Sequence, residues 1–169
     1  MKKLSIFLLF AALMVVGSLS AQSLDYDKLT PHPRLLLKSG DITAMRALPA
    51  RSATAKVVHD RIVAESERII GLEPVERVKV GKRMIAVSRE ALKRIFYLSY
   101  AYLTTDDIRY AQRAEREMLA ISEFEDWNPV HFLDVGEMTL AMAIGYDWLY
   151  RYLPVHSRSI IGTAIYEKG

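Results

Sequence analysis

Glu125-Asp126-Trp127-Asn128-Pro129-Val130-His131-Phe132-Leu133-Asp134-Val135-Gly136-Glu137-Met138, running on through Thr139 to Tyr150, is the stretch whose reading decides the fold. It holds both tryptophans, Trp127 and Trp148, one of the four histidines, His131, and the most apolar helical run beyond the N-terminus. Polar and aromatic groups gather at its start, and apolar ones follow along its length. That order predicts a buried helix with one end turned toward a cleft.

Working outward, the flanking segments also have helical period. Residues 108–122 place Tyr110, Ala111, Ala114, Met118, Leu119 and Ile121 on one side and Arg109, Arg113, Glu115, Arg116 and Glu117 on the other. Thr104-Thr105-Asp106-Asp107 is a turn, and before it a helix starting at Ser88 reaches about Leu103, with Ala91, Leu92, Ile95, Leu98 and Tyr102 recurring at threes and fours. An amphipathic helix runs from Ser52 to Ile70, with Gly71 placed to stop it. A short helix over 41–48 is expected to be capped by Ser39 and ended by Pro49. Between these, Val75 to Gly81 alternates apolar and charged residues and reads as strand-like or merely extended. The opening helix is expected to reach Tyr152, and after Pro154 a last helix spans about Val155 to Lys168. The class is all-α.

Leu98-Ser99-Tyr100-Ala101-Tyr102-Leu103 matches Ile144-Gly145-Tyr146-Asp147-Trp148-Leu149 at a fixed offset. In both, a buried helix ends in aromatics, a turn follows and a more polar helix returns. Recurring αα-hairpins suggest a toroid or solenoid, although the tetratricopeptide and ankyrin patterns are not met.

Composition limits the function classes. The 169 residues are 51% hydrophobic and 25% charged, an ordinary globular balance. The absence of cysteine excludes disulfides, thiolate metal sites, a cysteine nucleophile and a lipidated cysteine anchor. Lys2 and Lys3 precede an uncharged, largely apolar run from Leu4 to Leu19, and Ser18-Leu19-Ser20-Ala21 offers small residues for cleavage. Residues 1–21 read as a signal peptide, the apolar run being shorter than the ~20 residues of a membrane span. The remaining chain, 22–169, is then periplasmic or secreted, with no integral membrane segment. Removal of Lys2 and Lys3 takes two from the 23 basic side chains, against 20 acidic ones. The near-neutral balance gives no reason to expect nucleic acid. Gly-x-Ser-x-Gly, Walker and Gly-x-Gly-x-x-Gly motifs are all missing, so neither a serine nucleophile nor a nucleotide cofactor is expected.

Asp134 and Glu137 share a helix face, as acid–base work would require. The same spacing is that of a capping box, with Leu133 and Met138 as the hydrophobic staple. Asn128-Pro129 offers an earlier helix start. His131, Asp134 and Glu137 lack the histidine pair of a metallopeptidase helix, so no metal is expected. His131, at a helix mouth beside Trp127 and Asn128, is a candidate substrate contact. Trp127, in a loop, is the better of the two tryptophans for stacking on a sugar ring. Asp147, among apolar residues, is either a buried partner of a basic group or a charge at a turn. Arg77, Lys79, Lys82, Arg83, Arg89, Lys93 and Arg94 form a basic cluster, either a site for an anionic polymer or a solvated face.

Taken together, Pro31-His32-Pro33-Arg34-Leu35-Leu36, Ser88-Arg89-Glu90-Ala91-Leu92, Tyr100-Ala101-Tyr102, Asp126-Trp127-Asn128-Pro129-x-His131-Phe132-Leu133-Asp134 and Ile144-Gly145-Tyr146-Asp147-Trp148-Leu149-Tyr150 resemble, in order and spacing, the N-terminal part of the heparinase II/III-like polysaccharide lyases. The resemblance runs from about Pro31 to Gly169. It implies the start of an incomplete α/α toroid of helical hairpins, a β-sandwich to follow, and β-elimination on an acidic, uronate-containing polysaccharide such as a glycosaminoglycan or alginate. The family's catalytic tyrosine and histidine lie in later helices and in the β domain. No residue here is matched to them, no catalytic residue is assigned, and the chain is expected to be a fragment, inactive alone. Trp127, Asn128, His131, Asp134 and Glu137 are placed by analogy at the substrate-binding end of an inner helix. Two rivals remain. One is a non-catalytic helical module binding carbohydrate or protein. The other is an α/α-barrel glycoside hydrolase, for which only Asp134 and Glu137 offer carboxylic acids.

Overall fold

A computed structural model describes residues 28–169. The segment read as a signal peptide lies outside them. The body from Pro31 to Gly169 is compact, and among the described residues its regular structure is six helices. They are α1 (Asp41–Arg51), α2 (Ala53–Ile70), α3 (Ile85–Thr105), α4 (Ile108–Ser122), α5 (Phe132–Trp148) and α6 (Val155–Lys168). None is long and apolar enough to cross a membrane.

Short connections join the helices into hairpins. Ser52 alone separates α1 from α2, and its hydroxyl accepts the Ala55 N–H at 3.3 Å. Asp106 and Asp107 separate α3 from α4: Asp106 closes α3 in the left-handed conformation and the Asp107 side chain caps α4. The hairpins stack in register. Besides each helix packing on its hairpin partner, α1 packs on α3 and α3 on α5, while α2 packs on α4 and α4 on α6. The odd and even helices thus form two series.

The core lies where α3, α4 and α5 meet. Ala91, Ile95, Leu98 and Ala101 of α3, Ala111, Ala114, Met118 and Ile121 of α4, and Met138, Ala141 and Met142 of α5 have no exposed surface. Burying each large apolar side chain contributes roughly 1.5–3 kcal/mol. Gly145 sets how close α5 comes. A Cβ built there would lie 2.5 Å from Ile95 Cγ2 and 2.5 Å from Met118 Sδ, so only glycine fits.

Several boundaries differ from the sequence expectation. Pro49 lies inside α1, in its last turn; the ring costs one hydrogen bond, and the Ser52 N–H still reaches Leu48 O at 3.1 Å. Ser39 does not cap α1: Gly40 occupies that place, and the Asp41 carboxylate accepts the Lys38 N–H instead. Ser88 is not a cap. It is buried one turn inside α3, donating its hydroxyl to Asp134 O at 2.9 Å. Val75–Gly81 forms no strand, only an isolated bridge between Val80 and Arg83 around Gly81, whose φ is 61°. α5 ends at Trp148, four residues early, in a turn that leads to Pro154. The apolar character of α5 all round does not mean burial all round: Phe132, Leu133 and Leu140 remain exposed along one side.

Candidate functional site

The residues picked out at the mouth of α5 form a buried polar junction. The Asp126 carboxylate pairs with Arg77 and accepts the Asn128 N–H at 2.8 Å. That turn places Asn128 at φ 62°, a left-handed conformation that asparagine tolerates. The Asn128 side-chain amide then donates to Lys82 O at 2.9 Å and to Asp134 Oδ2 at 2.6 Å. Asp134 also accepts the Met84 N–H at 2.7 Å, with Arg83 Nε at 3.4 Å. Burial pushes the Asp134 carboxyl up, but the Met84 N–H, the Asn128 amide and the Arg83 charge together hold it below the usual aspartate value. The Arg77 hydrogen bond lowers Asp126 likewise.

This junction corrects the capping-box reading. His131, not Asp134, is the N-cap of α5, and it makes no side-chain cap bond. Asp134 sits in the first turn and points into the linker between α2 and α3. Glu137 meets Arg89 at 3.2 Å instead of reaching back to the helix start. The staple is missing too, since Leu133 is exposed while Met138 is buried. Nor does the helix begin at Pro129.

Of the five residues assigned to substrate, three are enclosed. Trp127 and Asp134 are 0% exposed and Asn128 is 1% exposed. The Trp127 ring offers no free face for a sugar; its indole N–H points to Ile121 O at 3.4 Å. His131 and Glu137 keep partial exposure, and His131 Nδ1 is buried without a hydrogen-bond partner. The basic cluster is largely neutralised. Arg77, Arg83, Arg89, Lys93 and Arg94 each pair with a carboxylate. No group of metal-binding side chains occurs among the described residues.

The most concentrated chemistry lies at the other end of α5, around Asp147, which is the buried partner of a basic group, the first of the two readings the sequence left open. Asp147, 1% exposed, gathers the segment 32–35 around itself. Its carboxylate accepts the Arg34 N–H at 2.8 Å, the Leu35 N–H at 2.8 Å and His32 Nδ1 at 2.5 Å. A carboxylate only accepts, so His32 carries a proton on Nδ1; the Arg34 guanidinium, which only donates, lies against Nε2. The His32 ring stacks on Tyr150, centroids 3.9 Å apart, and meets Tyr146 edge-on at 6.1 Å. Trp148 Nε1 donates to Leu35 O at 2.9 Å and completes the clasp. Beside it is a cavity of about 340 Å³ between α5, α6 and this arm, lined by His32, Arg34, Tyr146, Ala143, Gly162 and Ile165 among others. The one sequence signal was Asp147 standing among apolar residues. Its partner lies 115 positions away, and no local pattern joins the two.

Comparison with protein-family models gives no match, and comparison with curated proteins gives none.

Proposed function

We propose that this chain forms the first helical hairpins of an α/α toroid in an exported lyase acting on uronate-containing polysaccharide. The observation that carries the reading is the packing order. Successive hairpins lie side by side, odd helix on odd and even on even, the arrangement a toroid or solenoid repeats. It is supported by the exposed apolar stripe of Phe132, Leu133 and Leu140 on α5, a surface that a further helical pair would cover. In such an enzyme a base removes the proton α to the uronate carboxylate, an acid protonates the departing glycosidic oxygen, and nearby donors neutralise the charge that builds on the carboxylate. No residue of this chain is assigned to those proton transfers. Its part is to position them: the Asp134 junction fixes the mouth of α5, and Gly145 fixes the helix against α3 and α4.

Two measurements test this. The isolated chain, incubated with heparan sulfate, chondroitin sulfate, hyaluronan or alginate, is expected to release no unsaturated uronate by ultraviolet absorbance; turnover would overturn the reading that catalysis lies elsewhere. The coding sequence downstream of the Gly169 codon is expected to encode further hairpins, in frame or after a frameshift. If it encodes none, and the chain alone binds acidic oligosaccharide, a non-catalytic binding module replaces the lyase.

A further inference from the structure

Helices α2 and α3 pack against each other, and a cavity of about 430 Å³ opens between them, lined by Arg61, Ala64, Glu65, Arg68, Lys93 and Tyr97. The sequence spacing explains the gathering. Arg61, Ala64, Glu65 and Arg68 recur at threes and fours along α2 and share one face, and Lys93 and Tyr97 stand one turn apart on α3. Three of these residues are cationic and one is anionic.

The ion pairs at the cavity do not use up its donors. Arg68 turns Nε and Nη2 to Glu65, at 2.9 and 2.7 Å, and its Nη1 has no partner among the described residues. Lys93 Nζ carries three hydrogens and meets two carboxylates, Glu65 at 3.4 Å and Glu90 at 2.8 Å. Both cations are thereby held at the Glu65 carboxylate, so a ligand does not have to order them. Arg61 is exposed, and among the described residues neither it nor the Tyr97 hydroxyl has an ion-pair or hydrogen-bond partner. The other carboxylates of α2 are committed to residues that do not line the cavity: Asp60 holds Lys56 at 2.5 Å, and Glu67 accepts from Arg109 at 2.9 Å and Tyr110 at 2.6 Å. Even when Glu90 is counted from outside the lining, the cations outnumber the carboxylates. The positive balance selects an anion.

The spare donors also select its shape. They come from four side chains on two helices: Arg61, Arg68, Lys93 and Tyr97. A planar carboxylate has only two oxygens to offer them, whereas a tetrahedral oxyanion has more. We propose that the cavity between α2 and α3 is a binding site for a sulfate or phosphate group, free or carried as an ester on a small molecule. Its oxygens take the donors that Arg68 and Lys93 have left over, the Arg61 guanidinium and the Tyr97 hydroxyl. Arg61 and Ala64 are exposed, so the cavity is open to solvent on their side and admits whatever carries the group. The site is independent of the polysaccharide reading.

The probes are sodium sulfate and sodium phosphate, titrated into the full chain near neutral pH with ionic strength held by sodium chloride, and followed by amide chemical shifts. Both are expected to move the Arg61, Ala64, Glu65, Lys93 and Tyr97 amides saturably, with acetate severalfold weaker and chloride alone inactive. Arg61→Gln, at an exposed position without partners, should leave thermal stability unchanged and weaken both anions about tenfold, the worth of one charge-assisted hydrogen bond. Tyr97→Phe should weaken them severalfold. Arg151→Gln removes the same charge outside the cavity and should leave binding unchanged. Glucose 6-sulfate and glucose 6-phosphate separate the two sources: binding tighter than that of the free ions supports an ester as the ligand, and equal or weaker binding supports the free ion. No saturable shift, shifts reproduced by chloride at equal ionic strength, acetate binding as tightly, undiminished binding in folded Arg61→Gln, or an equal loss in Arg151→Gln would each overturn the proposal.

Discussion

The Met84 N–H donates to Asp134 Oδ2 at 2.7 Å, across fifty residues of sequence. This bond ties the start of α3 to the first turn of α5. It decides what Asp134 does, since a carboxylate that is fully buried and fastened to a backbone N–H, an asparagine amide and an arginine is committed to holding two helices together.

Removing it is expected to be costly. Asp134→Ala leaves the Met84 N–H and the Asn128 amide without their acceptor and should destabilise the chain by about 3 kcal/mol in urea unfolding. The folded-state carboxyl is lowered by its donors. Its contribution is therefore complete above the ordinary aspartate range, about pH 4, and is lost as pH falls below that toward the folded value. The stability gap between the native chain and Asp134→Asn should narrow from pH 7 to pH 3. A gap constant over that range would remove the assignment.

Gly145→Ala is predicted to destabilise by about 1–3 kcal/mol, the range for overpacking. The new methyl would fall 2.5 Å from both Ile95 Cγ2 and Met118 Sδ. Ile95→Ala removes the Cγ2 atom that the new methyl would strike, so Gly145→Ala should cost less in the Ile95→Ala background than in the native chain. Thermal unfolding of the four proteins of this double-mutant cycle measures the coupling.

Asp147→Ala should free the segment 32–35 from α5. The Arg34 and Leu35 amides, both donors to Asp147, are expected to exchange hydrogen faster, and proteases should cut near Leu36, which is already 79% exposed. If protection at both amides survived the substitution, Asp147 would not be what holds the arm.

Trp127→Ala is expected to cost about 3–5 kcal/mol, as for a large aromatic removed from a core. In the native chain both indoles are shielded, Trp127 at 0% and Trp148 at 7% exposure. Iodide should therefore quench tryptophan emission only on unfolding. Strong quenching of the folded protein would show an indole at the surface.

The parts of this fold legible in the sequence are those governed by local periodicity. α4 falls where the pattern of apolar and charged residues placed it, because an amphipathic helix declares its own buried face; α2 and α6 fall where their flanking residues Ser52, Gly71 and Pro154 placed their ends. Other helix ends were less legible. Ser39, Ser88 and Asp134 each had the chemistry of a cap, but what a short polar side chain bonds depends on which donor the fold brings to it. Ser88 found the Asp134 carbonyl and Asp134 found Met84. Trp127 was chosen for its loop and its aromatic ring, and the packing of α3, α4 and α5 closed over it.

The sequence by itself determined an all-helical body of short-looped hairpins, because hydrophobic period and turn residues are properties of neighbours along the chain. It singled out Asp147 as a charge among apolar residues and could not name its partner. Only the tertiary structure joined His32 and Arg34 to Asp147, stacked the His32 ring on Tyr150, and turned the acidic pair at the mouth of α5 into two separate tethers. Those are contacts between residues far apart in sequence, set by how the helices pack, and no local pattern encodes them.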